Sequence, residues 1–275
     1  QSATTTVVVS RELTKGQRDR AAEEQVASAM ILAAIAEACE ATEASDANGG
    51  LPQWSETAEV AADAVEPLVR REKRAPSAWT ELLIGQRDHV AIGPQTVPTV
   101  LMPGAFNPFH QGHSKVAQLA SERLGQPVTF ELSITNVDKR PLDFVEIEVR
   151  LAQFTDQPAW LTRAPTFVAK AELVPGCTFV VGADTITRIG DPHYYDDCAD
   201  ARNAAVAAIA GAGCRFLVFG RTVDGHFREL DDLCLPEPLR RLCDGVAEAA
   251  FRADISSTEL RQRAMESSPR LDEDG

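Results

Sequence analysis

From residue 97 onward, short apolar runs alternate with stretches of helical periodicity, and this alternation limits the fold more than any other feature of the chain. Strands are expected at 97–102, 128–134, 178–181 and 216–219, with a last one at about 249–253. Helices are expected at about 114–124, where Gly125 ends the pattern, at 143–154, at 201–210 and after the last strand. The second of these opens on a capping box, Asp143 with Glu146 three residues on. Gly211-Ala212-Gly213 reads as the cap that closes the third. Parallel strands need a crossover connection, and a helix between two strands is long enough to supply it. The pattern therefore implies an α/β fold, a doubly wound and mostly parallel sheet with helices on both faces. No internal repeat appears.

The first 92 residues read differently, as a smaller and mostly helical α/β segment. A β-branched run at 4–9 precedes a long Ala-rich helix at about 19–41, with Val26, Met30, Ile31, Ala34 and Ile35 on its apolar positions. Ile31, Leu32 and Ile35 would need a partner to cover them. A loop rich in Asp, Asn and Gly at 45–52 leads to a second helical pattern at 56–71. Its end, Arg70-Arg71-Glu72-Lys73-Arg74, reads as a solvated helix terminus, with contact to an anionic partner as the alternative. Residues 82–92 and the following Gly93-Pro94-Gln95-Thr96 read as a connection. The domain boundary is placed there, giving 1–92 and 93–275.

Charge and cysteine content narrow the classes of function. Forty-one acidic residues against 27 basic ones leave a formal charge of −14 over 275 residues. That balance argues against nonspecific binding to nucleic acid or to an anionic membrane, while leaving room for a local phosphate pocket. No apolar run reaches the ~20 residues of a membrane helix. The chain opens Gln-Ser-Ala-Thr with neither a signal peptide nor an initiator Met, so it is expected to be processed or cut from something longer. Its six cysteines form no CxxC pair and no zinc spacing; Cys177 and Cys214, which open apolar runs, are expected as buried, reduced thiols. These features together suggest an intracellular, cytoplasmic protein.

The chemistry concentrates after the strand at 97–102, in Gly104-Ala105-Phe106-Asn107-Pro108-Phe109-His110-Gln111-Gly112-His113. Two histidines three apart at a helix start suit a phosphate chain, because the first amides of a helix point outward with partial positive charge. Gly112 would let backbone approach closely. The alternative is a proline turn with two solvated histidines. A second anion site is read at Ile255-Ser256-Ser257-Thr258-Glu259-Leu260-Arg261. There Ser256 and Glu259 form another capping box, and the Arg261 guanidinium lies a turn beyond the Ser257 and Thr258 hydroxyls. Neither G-x-x-x-x-G-K-[ST] nor G-x-G-x-x-G is present, which excludes P-loop NTPases and ordinary dinucleotide-binding dehydrogenases.

The stretch 104–113 resembles the GxFxPxHxGH signature of the nucleotidylyltransferase superfamily, with Asn107 where many members carry Asp. That superfamily includes pyridine-nucleotide adenylyltransferases and cytidylyltransferases. Residues 255–261 resemble its ISSTxIR element, with Leu260 for Ile. Gly182-Ala183-Asp184 resembles a strand-end element whose Asp faces the nucleotide; capping of a helix would also explain an Asp there. Lys139 and Arg140 stand where pyridine-nucleotide enzymes place a phosphate-binding cation, and Arg221 follows the strand at 216–219 as in the family. A solvated loop and a surface arginine are the alternatives. The resemblance covers about 97–265. More weakly, residues 5–37 resemble the last part of the competence/damage-inducible amidase domain, without the segment that carries that family's chemistry.

The resemblance implies a Rossmann-like nucleotidylyltransferase domain at 93–275. It would transfer a nucleoside monophosphate from a triphosphate, ATP by preference, to a phosphorylated acceptor such as nicotinate or nicotinamide mononucleotide, releasing pyrophosphate. His110, His113 and Arg261 are the implied catalytic residues. Gly104, Ala105, Phe106, Asn107, Gly112, Lys139, Gly182, Asp184, Arg221, Ser256, Ser257 and Thr258 are the implied nucleotide and phosphate contacts. Mg²⁺ would arrive with the nucleotide, with no metal cage of the protein's own. Trp160 and Phe167 are candidates to stack on a pyridine ring, core packing being the alternative. Partners are thus small molecules, with no nucleic acid and no membrane, and a homo-oligomer is left open. The other functions kept in view are a cytidylyltransferase acting on a phosphorylated alcohol and a non-catalytic nucleotide sensor.

Overall fold

A computed structural model describes residues 4–14, 16–43, 68–93, 96–137, 140–154, 156–223 and 226–249. The described chain falls into two compact units that divide between Arg74 and Ala75, not near residue 92.

In the first unit, β1 (Thr5–Arg11) is followed by α1 (Arg20–Glu43) and β2 (Leu68–Arg74). Asp19 starts α1, its carboxylate accepting the Ala22 amide at 2.8 Å. Ile31, Leu32 and Ile35 are exposed on it. The charged run at 70–74 is strand, not helix end. β2 pairs antiparallel with β1 from Thr5 opposite Arg74 to Arg11 opposite Leu68. Its charged residues lie along an edge-to-edge ladder, where backbone pairing with a β-branched partner overrides local helix propensity. Most of the loop and second helix expected at 45–71 lies outside the described residues.

The second unit opens with α2 (Ser77–Leu83) and β3 (His89–Ile92), where a connection was expected. Then come β4 (Val100–Pro103), α3 (Gln111–Leu124), β5 (Thr129–Ser133), α4 (Phe144–Leu151), β6 (Ala159–Thr162), α5 (Phe167–Leu173), β7 (Thr178–Gly182), α6 (Ala183–Gly190), α7 (Ala199–Gly211) and β8 (Arg215–Phe219). A short hairpin, β9 (Arg221–Val223) with β10 (His226–Arg228), leads to α8 (Glu237–Arg240) and β11 (Cys243–Val246). The strand expected at 249–253, and the helix after it, fall almost entirely on residues from 250 on, which lie outside the described residues; β11 was not expected. Among the described residues, no helix is long and apolar enough to cross a membrane.

Among the described residues, seven strands form one sheet in the order β11-β8-β7-β4-β5-β6-β3. All neighbours are parallel except the edge strand β3, which runs antiparallel to β6. The fold is therefore Rossmann-like α/β. Alternation along the strands divides the core: Phe179, Val181, Phe216 and Val218 face one layer with Val206 and Ile209 of α7, while Val180, Leu217 and Phe219 face the other with Ala117 and Ala120 of α3. A third cluster joins Trp79 and Leu82 of α2 to Leu132, Leu161, Phe144 and Ile147. Trp160 belongs to the core, and the partly buried Phe167 packs against it. Trp160 is buried and stacks on His89 at 3.9 Å, and Phe167 meets Phe179 and Phe216 edge-on.

Successive strands step outward from β4 through β5 to β6, then the chain returns to β7 on the other side of β4. The carboxyl ends of β4 and β7 are thus the topological switch point, where parallel α/β sheets open a crevice for ligands.

Candidate functional site

The loop 104–110 leaves β4 at this switch point. Gly104 donates its amide to the Glu131 carbonyl at 2.9 Å. Phe106 turns the chain at φ +45°, a left-handed conformation unusual for a bulky residue, and the Asn107–Pro108 peptide is cis. The Phe106 ring is buried among Phe109, His113, Phe130 and Phe154, with centroids 5.1–6.0 Å apart. A Cβ on Gly104 would lie 2.6 Å from that ring. Gly104 is therefore demanded by the aromatic side chain behind the loop. Ala105 and Asn107 are exposed on its outer side.

The helix α3 starts at Gln111, earlier than the periodicity suggested, because His110 caps it. The His110 Nδ1 accepts the Gly112 amide at 3.1 Å, and the His113 Nδ1 accepts the His110 amide at 3.2 Å. This is a capping box built from two imidazoles. The rings stack at 3.8 Å between centroids. With both Nδ1 atoms accepting, each neutral ring carries its proton on Nε2, the nitrogen left to meet a ligand. Protonation would turn each Nδ1 into a donor facing another N–H. Burial lowers the His113 pKa to about 4, helped by His110 and Arg221. His110 is lowered as well, by burial first and then by Arg221. Two neutral imidazoles thus stand at a helix N-terminus.

Opposite them, at the ends of β7 and β8, Arg221 Nη1 meets Asp184 Oδ2 at 3.2 Å. Asp184 lies inside the first turn of α6, whose cap is Gly182, so capping does not account for it. A Cβ on Gly182 would come 2.7 Å from the Asp184 carboxylate. Arg221 and Asp184 are each about 40% exposed, at 42% and 39%, so the cation can exchange its carboxylate for an anionic ligand at small cost. The structure thus brings together Gly104 to His113, Gly182, Asp184 and Arg221. Lys139, Ser256, Ser257, Thr258 and Arg261 lie outside the described residues. Arg140 turns instead to Glu146 at 3.1 Å and Asp143 at 3.6 Å, at the start of α4.

A family model described as cytidylyltransferase-like matches residues 101–263, from β4 through the 255–261 element. The chain belongs to the cytidylyltransferase-like family. No curated protein matches the chain. Membership of the cytidylyltransferase-like family, within the nucleotidyltransferase superfamily, supports a nucleotidyltransferase activity.

Two residues at this site were not legible in the cytidylyltransferase-like sequence. Gln153, just past α4, accepts the Phe109 amide at 2.8 Å and donates to the Phe106 carbonyl at 2.9 Å. Arg150 donates to the Ala105 carbonyl at 3.1 Å. Both lie more than forty residues from the loop they hold, and no local spacing announces such a reach.

Proposed function

We propose that this chain transfers a nucleoside monophosphate from ATP to nicotinate or nicotinamide mononucleotide, yielding a dinucleotide and pyrophosphate. A phosphate oxygen of the acceptor attacks the α-phosphorus in line, and the bond to the β-phosphate oxygen breaks. Such transfers need alignment and charge stabilisation more than covalent work by the protein. The observation that carries the reading is the stacked, neutral His110–His113 pair at the N-terminus of α3, on the switch-point crevice. Nε2–H donors at the positive end of the helix suit the phosphate oxygens as charge develops on them. Arg221 adds the cation.

Ser256, Ser257, Thr258 and Arg261 are assigned to the leaving pyrophosphate, and Lys139 to an acceptor phosphate, on their resemblance to family elements. Magnesium fits as an ion carried by the triphosphate. Among the described residues, no group of three or more His, Cys, Asp and Glu side chains is set to hold a metal. When bound, the ion would neutralise phosphate charge. The acceptor is chosen on the likeness of 182–184 and 255–261 to pyridine-nucleotide enzymes. The likeness of 5–37 to an amidase domain that deamidates nicotinamide mononucleotide favours the same choice, since a fused parent would hold consecutive steps.

The test supplies ATP or CTP with each mononucleotide or with a panel of phosphorylated alcohols and separates the products. A dinucleotide from ATP is expected. A cytidine diphosphate–alcohol formed from CTP and a phosphorylated alcohol, with no dinucleotide, would assign the chain to the cytidylyltransferase alternative. Triphosphate binding without turnover would make it a sensor.

A further inference from the structure

The histidine pair is no better placed than the loop that precedes it. Between β4 and α3 its backbone runs through Ala105–Phe109 with a positive-φ residue at Phe106, a conformation that neighbours must impose. The constraint comes from the far end of α4. The Gln153 side chain spends every polar atom on it. Oε1 accepts from the Phe109 amide at 2.8 Å, and Nε2 donates to the Phe106 carbonyl at 2.9 Å and the Arg150 carbonyl at 3.2 Å. Arg150, turned by Glu146 at 3.7 Å, takes the Ala105 carbonyl at 3.1 Å. The loop in turn delivers two rings to His113, Phe109 stacked at 5.4 Å and Phe106 edge-on at 5.1 Å. Those rings are part of what keeps His113 out of water.

We propose that Gln153 is a positioning residue for nucleotidyl transfer: its amide clamps Phe106 and Phe109 and so sets where His110 and His113 present their Nε2 atoms. The assignment rests on the reading of this site as a nucleotidyl-transfer centre. The amide's fixed pattern, one acceptor facing an N–H and two donors facing carbonyls, makes the clamp directional. No other side chain of that length reproduces it at neutral pH. Glutamate keeps the acceptor but sets a carboxylate against two carbonyl oxygens; its protonated form restores one donor.

The experiment compares Gln153→Met and Gln153→Glu with the unaltered chain, after circular dichroism has shown each to be folded. Turnover with ATP and the acceptor is followed from about pH 8 to about pH 5, a range that spans the raised pKa of a half-buried glutamate. Gln153→Met should lose about 10- to 100-fold in kcat at all pH, with triphosphate KM changed little, since misplacement of catalytic groups costs that much. Gln153→Glu should show the same deficit at high pH and recover relative to the unaltered chain as pH falls. In parallel, NMR titration of the histidines should show His113 protonating nearer its ordinary value of about 6.5 in Gln153→Met than its value of about 4 in the unaltered chain. A Gln153→Met protein with lowered thermal stability but unchanged kcat and unchanged His113 titration would overturn the proposal, leaving Gln153 to folding alone. A Gln153→Glu deficit that ignores pH would overturn it too. Should the unaltered chain transfer nothing, the functional reading fails by itself, and the His113 titration still decides whether Gln153 holds the loop.

Discussion

Replacing Gly104 with alanine adds a single methyl group at a place where the structure leaves no room for it. The new Cβ would stand 2.6, 2.8 and 3.0 Å from Cζ, Cε1 and Cε2 of Phe106, closer than carbon atoms approach without something shifting. The ring cannot back away, because Phe130 and Phe154 lie edge-on to it at 5.4 and 5.2 Å, with Phe109 and His113 on its other sides. Overpacking of this kind costs about 1–3 kcal/mol. For a unit of this size each kcal/mol lowers Tm by about 2–4 °C. Relief by moving the loop would displace the ring that touches His113, so turnover should fall along with Tm. The decisive assay is a double-mutant cycle with Phe106→Leu, followed by denaturant unfolding. Leucine lacks all three clashing atoms, so Gly104→Ala should cost close to nothing in that background, a coupling of about 1–3 kcal/mol. Equal costs in the two backgrounds would refute the reasoning, and would return Gly104 to the role of a backbone contact for phosphate.

Three further outcomes follow from the geometry. A chain beginning at Ala75 should fold, whereas one beginning near Val97 loses Trp79, Leu82 and β3 and uncovers Leu132, Leu161 and Ile147. At about 1.5–3 kcal/mol for each large apolar side chain lost, size-exclusion should find the shorter chain aggregated, and a monodisperse product would contradict this. The Lys170 ammonium is buried with the Glu131 carboxylate at 2.8 and 2.9 Å and the Ala164 carbonyl at 2.6 Å, while Thr162 donates to the same carboxylate. Lys170→Met should therefore cost about 3–5 kcal/mol in urea unfolding, and Lys170→Met with Glu131→Gln much less. His113 titrates at about 4 in the folded chain against about 6.5 unfolded, so between those values the unfolded state binds the extra proton. The resulting stability is present above about pH 6.5 and is lost as pH falls toward 4; His113→Asn should flatten that part of the profile, and an unchanged slope would argue against a buried neutral ring.

Much of this was legible because local pattern and final structure agree. The Asp143–Glu146 capping box, the Gly125 stop and the two histidines at a helix start all appear where their residue types put them. Arg221 and Asp184 meet because β7 and β8 are parallel neighbours, so their strand-end residues are adjacent once the crossover pattern is known. Elements that depend on distant partners were hidden. β2 reads as a charged helix end until β1 supplies its ladder, and β3, four residues at the sheet edge, has no periodicity to show. Trp160 offered a ring for a substrate, but its position on a strand buried on both sides commits it to the core. The Gln153 clamp was invisible for the same reason, since it acts across more than forty residues.

The central claim, that His110 and His113 at the switch point drive nucleotidyl transfer, is tested most directly by pyrophosphate release from the unaltered chain and from His113→Ala. Release should require both ATP and a phosphorylated acceptor, and a folded His113→Ala protein should lose about 10²–10³ in kcat. Undiminished release from that protein would contradict the claim.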